Sequence, residues 1–257
     1  MEEILLRFES ADLLGPATEQ LKKACRFDPG KEMHRRMLEE ALAFRGKWAD
    51  GLRLAVTAAF YAPEVLSGAF LDIAGIRLRC AAFAQIRARD IREVVLYAMA
   101  LHAPAEKGGE GKSGAGDLTR LFYADLWGNA YVEAGAEALR AVLRERMEAR
   151  EDAPRTRLSE AFGPGYYGMP AEEMKTLARM LDFSAIDARV EENGVIYPPK
   201  ACAGIYFAAA EGASLPAASC SGCAGNTLSC DFCVRRKTGQ TGPHPEKTSC
   251  NPWGLLV

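Results

Sequence analysis

Histidine is nearly missing from this chain of 257 residues: there are three, His34, His102 and His244. None forms a His-x-x-x-His or Glu-x-x-His pair, so neither a histidine-held metal nor a histidine general base is legible. The sequence has no Gly-x-Ser-x-Gly elbow and no phosphate-binding loop. Their absence removes the marks of a serine hydrolase of that class and a P-loop nucleotide enzyme. An excess of basic charge is also lacking. With 32 Lys and Arg against 34 Asp and Glu, the formal charge is −2, and no nucleic-acid partner is expected. The longest apolar run, near Val94–Ala105, is too short to span a bilayer and ends in a Pro-containing loop, so no membrane partner is expected either. The first residues, Met1-Glu2-Glu3-Ile4, carry no basic segment followed by an apolar one, and the expected compartment is the cytoplasm. Internal repeats are absent.

What is present reads as a soluble α+β domain with an appendage. Apolar residues make up 49% of the chain and charged ones 26%, enough for one full core. Residues 1 to about 50 read as helical, broken at Asp28-Pro29-Gly30, and Asp50–Tyr61 continues an amphipathic helical pattern. Ala69–Ile86 alternates like strands, with Ile73, Ile76, Leu78 and Cys80 on one face. Val94–His102 is a dense apolar run of strand length, expected as a central strand. Glu106–Gly116 reads as a surface loop, and Asp117 as the cap of a long helix to about Arg150. Leu118, Leu121, Phe122, Val132, Leu139, Val142 and Leu143 recur on that helix, and Gly128 and Gly135 mark points of close approach. Pro170 suits the first position of a helix over Ala171–Leu181, with Met174, Leu177, Met180 and Leu181 inward. Ile186–Val195 and Ala203–Ala208 read as two strands. Long helices among strands that do not alternate with them argue for α+β over a wound βαβ sheet. The expected division is an α+β domain over residues 1–211, with 1–60 its helical N-terminal part, and a Cys-rich tail over 212–257.

The tail holds five of the eight cysteines. Cys220-Ser-Gly-Cys223 and Cys230-Asp-Phe-Cys233 are two Cys-x-x-Cys pairs, and each can turn both sulfurs toward one ion. Four thiolates suit either zinc or a [4Fe–4S] cluster, and both remain open; a reducible disulfide pair is a third reading. Cys250 lies farther off and is not counted as a ligand. Cys80 and Cys202 sit on strand patterns, where a small buried residue is the simpler role.

The densest signal in the body of the chain is Phe162-Gly163-Pro164-Gly165-Tyr166-Tyr167-Gly168-Met169-Pro170. Glycines let the backbone approach a ligand and turn amide hydrogens outward, the helix that follows favours an anionic group at its N-terminus, and the tyrosines offer faces for an adenine ring or a sulfonium. The same residues also make a tight structural turn with packed rings, and residues alone leave both readings open.

The order of these motifs resembles the activation domain of cobalamin-dependent methionine synthase and the short stand-alone proteins related to it. The matching pieces are Pro164-Gly165-Tyr166, the helix over Ala171–Leu181, and Gly204-Ile205-Tyr206-Phe207. Upstream, Tyr123–Ala134 resembles that family's small-residue helix with its acidic residue. The resemblance covers roughly residues 70–210. It implies an S-adenosylmethionine groove over the loop, with Pro164, Gly165 and Tyr166 against the ligand, Tyr206 at its carboxylate and Glu133 at its amino group. The family's arginine before Pro-Gly-Tyr falls on Ala161 here; Arg157 is the candidate to replace it, with a solvent-exposed arginine as the open alternative.

The resemblance further implies reductive methylation of a stalled cob(II) corrinoid, with the cobalamin arriving on a partner such as a corrinoid-binding protein or methyltransferase. The electron would come from a donor such as flavodoxin or ferredoxin, with the tail metal as a possible relay. Such chemistry rests on positioning, and no catalytic residue is expected. A binding module that does not turn over, and a redox protein centred on the tail, are the competing readings.

Overall fold

The apolar run at Val94–His102 becomes the middle of a sheet. In the computed structural model the chain runs β1 (Glu2–Glu9), α1 (Ser10–Ala24), α2 (Glu32–Trp48), β2 (Arg53–Tyr61), β3 (Val65–Ser67), β4 (Phe70–Ile73), β5 (Ile76–Arg79) and β6 (Ile91–His102). It continues with α3 (Ala115–Glu148), β7 (Thr156–Leu158), α4 (Glu173–Ala178), β8 (Arg189–Val190), β9 (Ile196–Tyr197) and β10 (Ala201–Ala210). The structure describes residues 2–25, 27–28, 30–103, 115–149, 156–166 and 168–215. Cys220, Cys223, Cys230 and Cys233, and most of the stretch Glu106–Gly116, lie outside the described residues.

The main sheet has the order β1-β2-β6-β10-β7, and every neighbouring pair is antiparallel. Its inner strands are buried on both faces. β6 sends Val95, Tyr97, Met99 and Leu101 to one core, shared with α1, α2 and α3. It sends Val94, Leu96, Ala98 and Ala100 to a second core, shared with the small β3-β4-β5 sheet and α4. β2 and β10 divide in the same way, so the fold is an α+β sandwich of helices, antiparallel sheet and a second, smaller layer.

Two expectations are corrected by this sheet. The helical reading of the first 60 residues holds for α1 and α2 but fails at both ends, where β1 and β2 are strands. β2 was hidden because Leu54, Ala55, Val56, Ala58 and Ala59 are all buried. A strand apolar on both faces loses its period-2 signature, and its alanines read as helix formers. β1 is an edge strand with Ile4, Leu6 and Phe8 inward, but its Glu and Leu content favoured helix. The C-terminal strand expected over Ile186–Val195 shrinks to the two-residue β8, paired with β9. The helix expected over Ala171–Leu181 is only Glu173–Ala178, although Met174, Leu177, Met180 and Leu181 are all buried as anticipated.

α3, 34 residues long, positions the site. It lies on the sheet through Trp127, Tyr131, Leu139 and Leu143. The Trp127 indole N–H donates to the Ala41 carbonyl at 2.8 Å, and the Tyr123 hydroxyl donates to the Glu40 carboxylate at 2.9 Å, tying α3 to α2. Gly135 lets the helix ride close: a Cβ there would stand 1.9 Å from Leu54 Cδ2. At Gly128 the approaching group is the Lys200 stem, 3.1 Å from where a Cβ would be. The first turns differ from expectation, since Leu118, Leu121 and Phe122 are exposed.

Candidate functional site

The site forms where the edge of the sheet is strapped on beyond β7. Leu158 is the last paired residue of β7, opposite Ala208. Ser159 then exchanges two bonds with Phe207: its N–H donates to the Phe207 carbonyl at 2.9 Å, and its hydroxyl accepts the Phe207 N–H at 2.9 Å. Phe162 exchanges both backbone bonds with Ile205, at 2.9 and 2.7 Å. Glu160 and Ala161 lie between these two attachments. Gly204 is required for the second one, because a Cβ there would fall 2.5 Å from the Phe162 carbonyl oxygen and 2.9 Å from the Tyr97 hydroxyl.

The loop that follows closes on itself. The Gly165 N–H donates to the Met169 carbonyl at 2.9 Å, Tyr166 N–H to Gly163 at 3.0 Å, and Met169 N–H to Tyr166 at 2.9 Å. Gly165 and Gly168 have φ of +88° and +80°, a region L side chains rarely enter. The expected cradle of outward amides is therefore not what the loop provides at Gly165 and Tyr166, whose N–H groups are used internally. α4 adds no anion site, being six residues long with the Glu173 and Met174 amides engaged at 3.1 Å by Pro170 and Ala171. The loop supplies a shaped wall.

Between this loop and α3, over β10, lies a cavity of about 580 Å³. α3 contributes Asn129, Glu133, Glu137 and Arg140, a single stripe at helical spacing. Along the axis that stripe runs about 16 Å. Tyr97, Cys202 and Tyr206 form the floor, and Glu160, Ala161, Pro164 and Tyr166 the facing wall. The volume falls within the roughly 300–1,000 Å³ typical of small-molecule sites.

The floor is aromatic and uncharged. Tyr97 and Tyr206 stack with centroids 4.9 Å apart and planes inclined by 26°. Burial pushes the Tyr206 hydroxyl up to about 12, and burial beside Tyr206 raises Tyr97 well above the ordinary phenol. The Cys202 thiol is likewise pushed up by burial, with the Glu133 charge adding to the effect, so it stays protonated and is no nucleophile.

Charge enters from the helix and the rim. Burial first, and the Glu137 charge second, raise Glu133 to about 7 against the opposing charge of Lys23. Its Oε1 is buried without a hydrogen-bond partner among the described residues. Arg140 Nη1 donates to the Ser159 carbonyl at 2.9 Å and to Glu160 at 3.3 Å, and the guanidinium lies 5.5 Å from the centre of the Tyr206 ring. At the other end Lys200 Nζ donates to Asp125 at 2.5 Å and Asn129 at 2.6 Å. Three acids, two cations and flat rings in one groove suit a zwitterionic ligand with an aromatic part. Among the described residues no group of three or more His, Cys, Asp or Glu side chains is arranged to hold a metal.

Of the residues singled out in the sequence, Glu133, Pro164, Tyr166 and Tyr206 meet at this cavity. Gly165 belongs to the loop behind it, with open space around the position of a Cβ. Arg157 is exposed on β7 and does not line the cavity, whereas Ala161 does. Arg140 was missed. It is one of several arginines along an unbroken helix, and only the packing of α3 over β10 distinguishes it.

No protein-family model matches the sequence, and no curated protein matches it. Solved structures do. One is a crystal structure of the MetH reactivation domain bound to AdoHcy, at a TM-score of 0.57 and 12% sequence identity, covering 85% of this chain and 82% of that one. At that identity the likeness shows a shared fold, and the resemblance read from the sequence is borne out at that level.

Proposed function

We propose that the cavity binds S-adenosylmethionine and that the chain serves to reactivate a corrinoid protein by reductive methylation. The observation that carries this reading is the meeting of Glu133, Pro164, Tyr166 and Tyr206 around one cavity, in a fold shared with a reactivation domain whose crystal structure holds AdoHcy. The residues present fit such a ligand. Glu133, when ionised, offers a carboxylate to an ammonium or sulfonium; the Tyr97 and Tyr206 hydroxyls, both protonated at neutral pH, offer donors; the rings offer faces to a base.

Bound S-adenosylmethionine would supply an electrophilic methyl group. The chain's contribution is to hold that ligand in one orientation and to keep nucleophilic side chains away from it, which suits a floor of two phenols and a protonated thiol. The corrinoid would arrive on a partner protein, and the electron from an external donor of the flavodoxin or ferredoxin type. Cys220, Cys223, Cys230 and Cys233 are proposed to hold zinc or an iron–sulfur cluster on the strength of their spacing alone, and iron, zinc and sulfide analysis of anaerobically purified protein distinguishes the two.

The test is direct. A cob(II) corrinoid protein is incubated with this chain, S-adenosylmethionine and a low-potential reductant, and the methylcob(III) absorbance is followed. The band should appear only when the chain is present. Its absence with several corrinoid partners would remove the reactivation reading.

A further inference from the structure

We infer that Arg140 is the carboxylate anchor of this cavity and that Glu160 is its built-in competitor, displaced when an anionic group binds. This rests on the reading that the ligand carries an α-carboxylate, as S-adenosylmethionine does.

Three observations carry it. Ala161, at the loop position where the resemblance leads one to look for an arginine, is part of the cavity lining and bears no charge. Arg140 reaches the same place from the opposite wall. Its side chain is 18% exposed, and the bond to the Ser159 carbonyl fixes the guanidinium on the strap that carries Glu160 and Ala161. Finally, both of its bonds to the strap leave from Nη1, and its remaining side-chain hydrogen bond is to the Tyr206 hydroxyl. A guanidinium is a fork of five N–H donors, so a planar carboxylate can still approach in two-point fashion, with the Tyr206 hydroxyl beside it.

The Glu160 contact is made to be exchanged. At 3.3 Å it is longer than a charge-assisted bond usually is, about 2.7–2.9 Å, and the Glu160 side chain is 54% exposed. Such a half-solvated pair is weak and little is lost on breaking it. A ligand carboxylate inside the cavity meets the same cation with less competing water, where the attraction is stronger. The exchange also moves one acidic group, Glu160, away from the incoming anion.

The experiment compares S-adenosylmethionine with its decarboxylated analogue, which keeps the sulfonium and the amine but lacks the anion, by calorimetric titration of the full chain. Wild type should favour the carboxylate form by about tenfold or more. Arg140→Met should lose most of that preference while binding the analogue as wild type does. Glu160→Gln should tighten S-adenosylmethionine a few-fold, roughly two to five, and leave the analogue unchanged. Should Arg140→Met fail to fold, Glu160→Gln carries the test alone, since its side chain is exposed on the rim. Unchanged or weaker binding in Glu160→Gln overturns the exchange. Retained preference in a folded Arg140→Met, or its loss in Arg157→Met instead, overturns the anchor. Wild type that binds neither compound removes the underlying S-adenosylmethionine reading and not only this assignment.

Discussion

Phe162 and Ile205 exchange both backbone hydrogen bonds, at 2.9 and 2.7 Å, and thereby clamp the glycine-tyrosine loop onto β10 immediately beside Tyr206. The clamp depends on Gly204. Gly204→Ala would place a methyl group against the Phe162 carbonyl oxygen and the Tyr97 hydroxyl, and both cannot yield without separating loop from strand. Chemical denaturation should show a loss of about 2–4 kcal/mol, and ligand affinity should fall with it because the cavity wall is no longer fixed.

Gly165 behaves differently. No atom lies within 4 Å of a Cβ placed there, so bulk is not what the position refuses. Its φ of +88° is the constraint. Gly165→Ala and Gly165→Val should each cost about 1–2 kcal/mol of stability, measured by thermal unfolding, from backbone strain. If valine were far worse than alanine, steric exclusion would be the cause after all.

Gly135→Ala tests the seating of α3. The added methyl would overlap the end of the Leu54 side chain, which is flexible but fully buried. A cost of about 1–3 kcal/mol is expected. Because Glu133 and Arg140 ride on the same helix, affinity for the ligand should drop more than it does for a surface variant of similar stability.

Glu133 makes both stability and binding depend on pH. Burial, then the neighbouring Glu137, raises it to about 7 from the ordinary 4.5, against the opposing charge of Lys23. A carboxyl raised in the folded state favours its protonated form there. The stability it permits is full below about pH 4.5, is lost as pH climbs through about 7, and stays lost above. Glu133→Gln should therefore be more stable than wild type at pH 8, by at most about 3 kcal/mol, with the gap closing toward pH 4.5. A cationic ligand prefers the ionised carboxylate, so affinity in the wild type should rise from pH 6 to pH 8, and this rise should be absent in Glu133→Gln.

How much of this was legible depended on where each residue's neighbours come from. β6 stood out because Val94–Leu101 is an unbroken run of eight apolar residues, which has few other uses. β2 is just as central, yet its alanines on two buried faces erase the alternation that marks a strand. The loop wall was legible because Gly, Pro and Tyr in that order constrain the backbone locally. Glu133 was found only through its place at the end of a resembling segment. Arg140 had no local mark, and what distinguishes it is the strap of Ser159–Phe162 brought against α3 by the sheet, a tertiary event.

The central claim is that the cavity between α3 and the loop takes S-adenosylmethionine, and one titration bears on it most directly. Calorimetry of the purified chain at pH 8 should give saturable one-to-one binding, competed by S-adenosylhomocysteine and weakened in Tyr206→Phe and Glu133→Gln. No saturable heat from folded wild type at millimolar ligand, or binding indifferent to both substitutions, would contradict it.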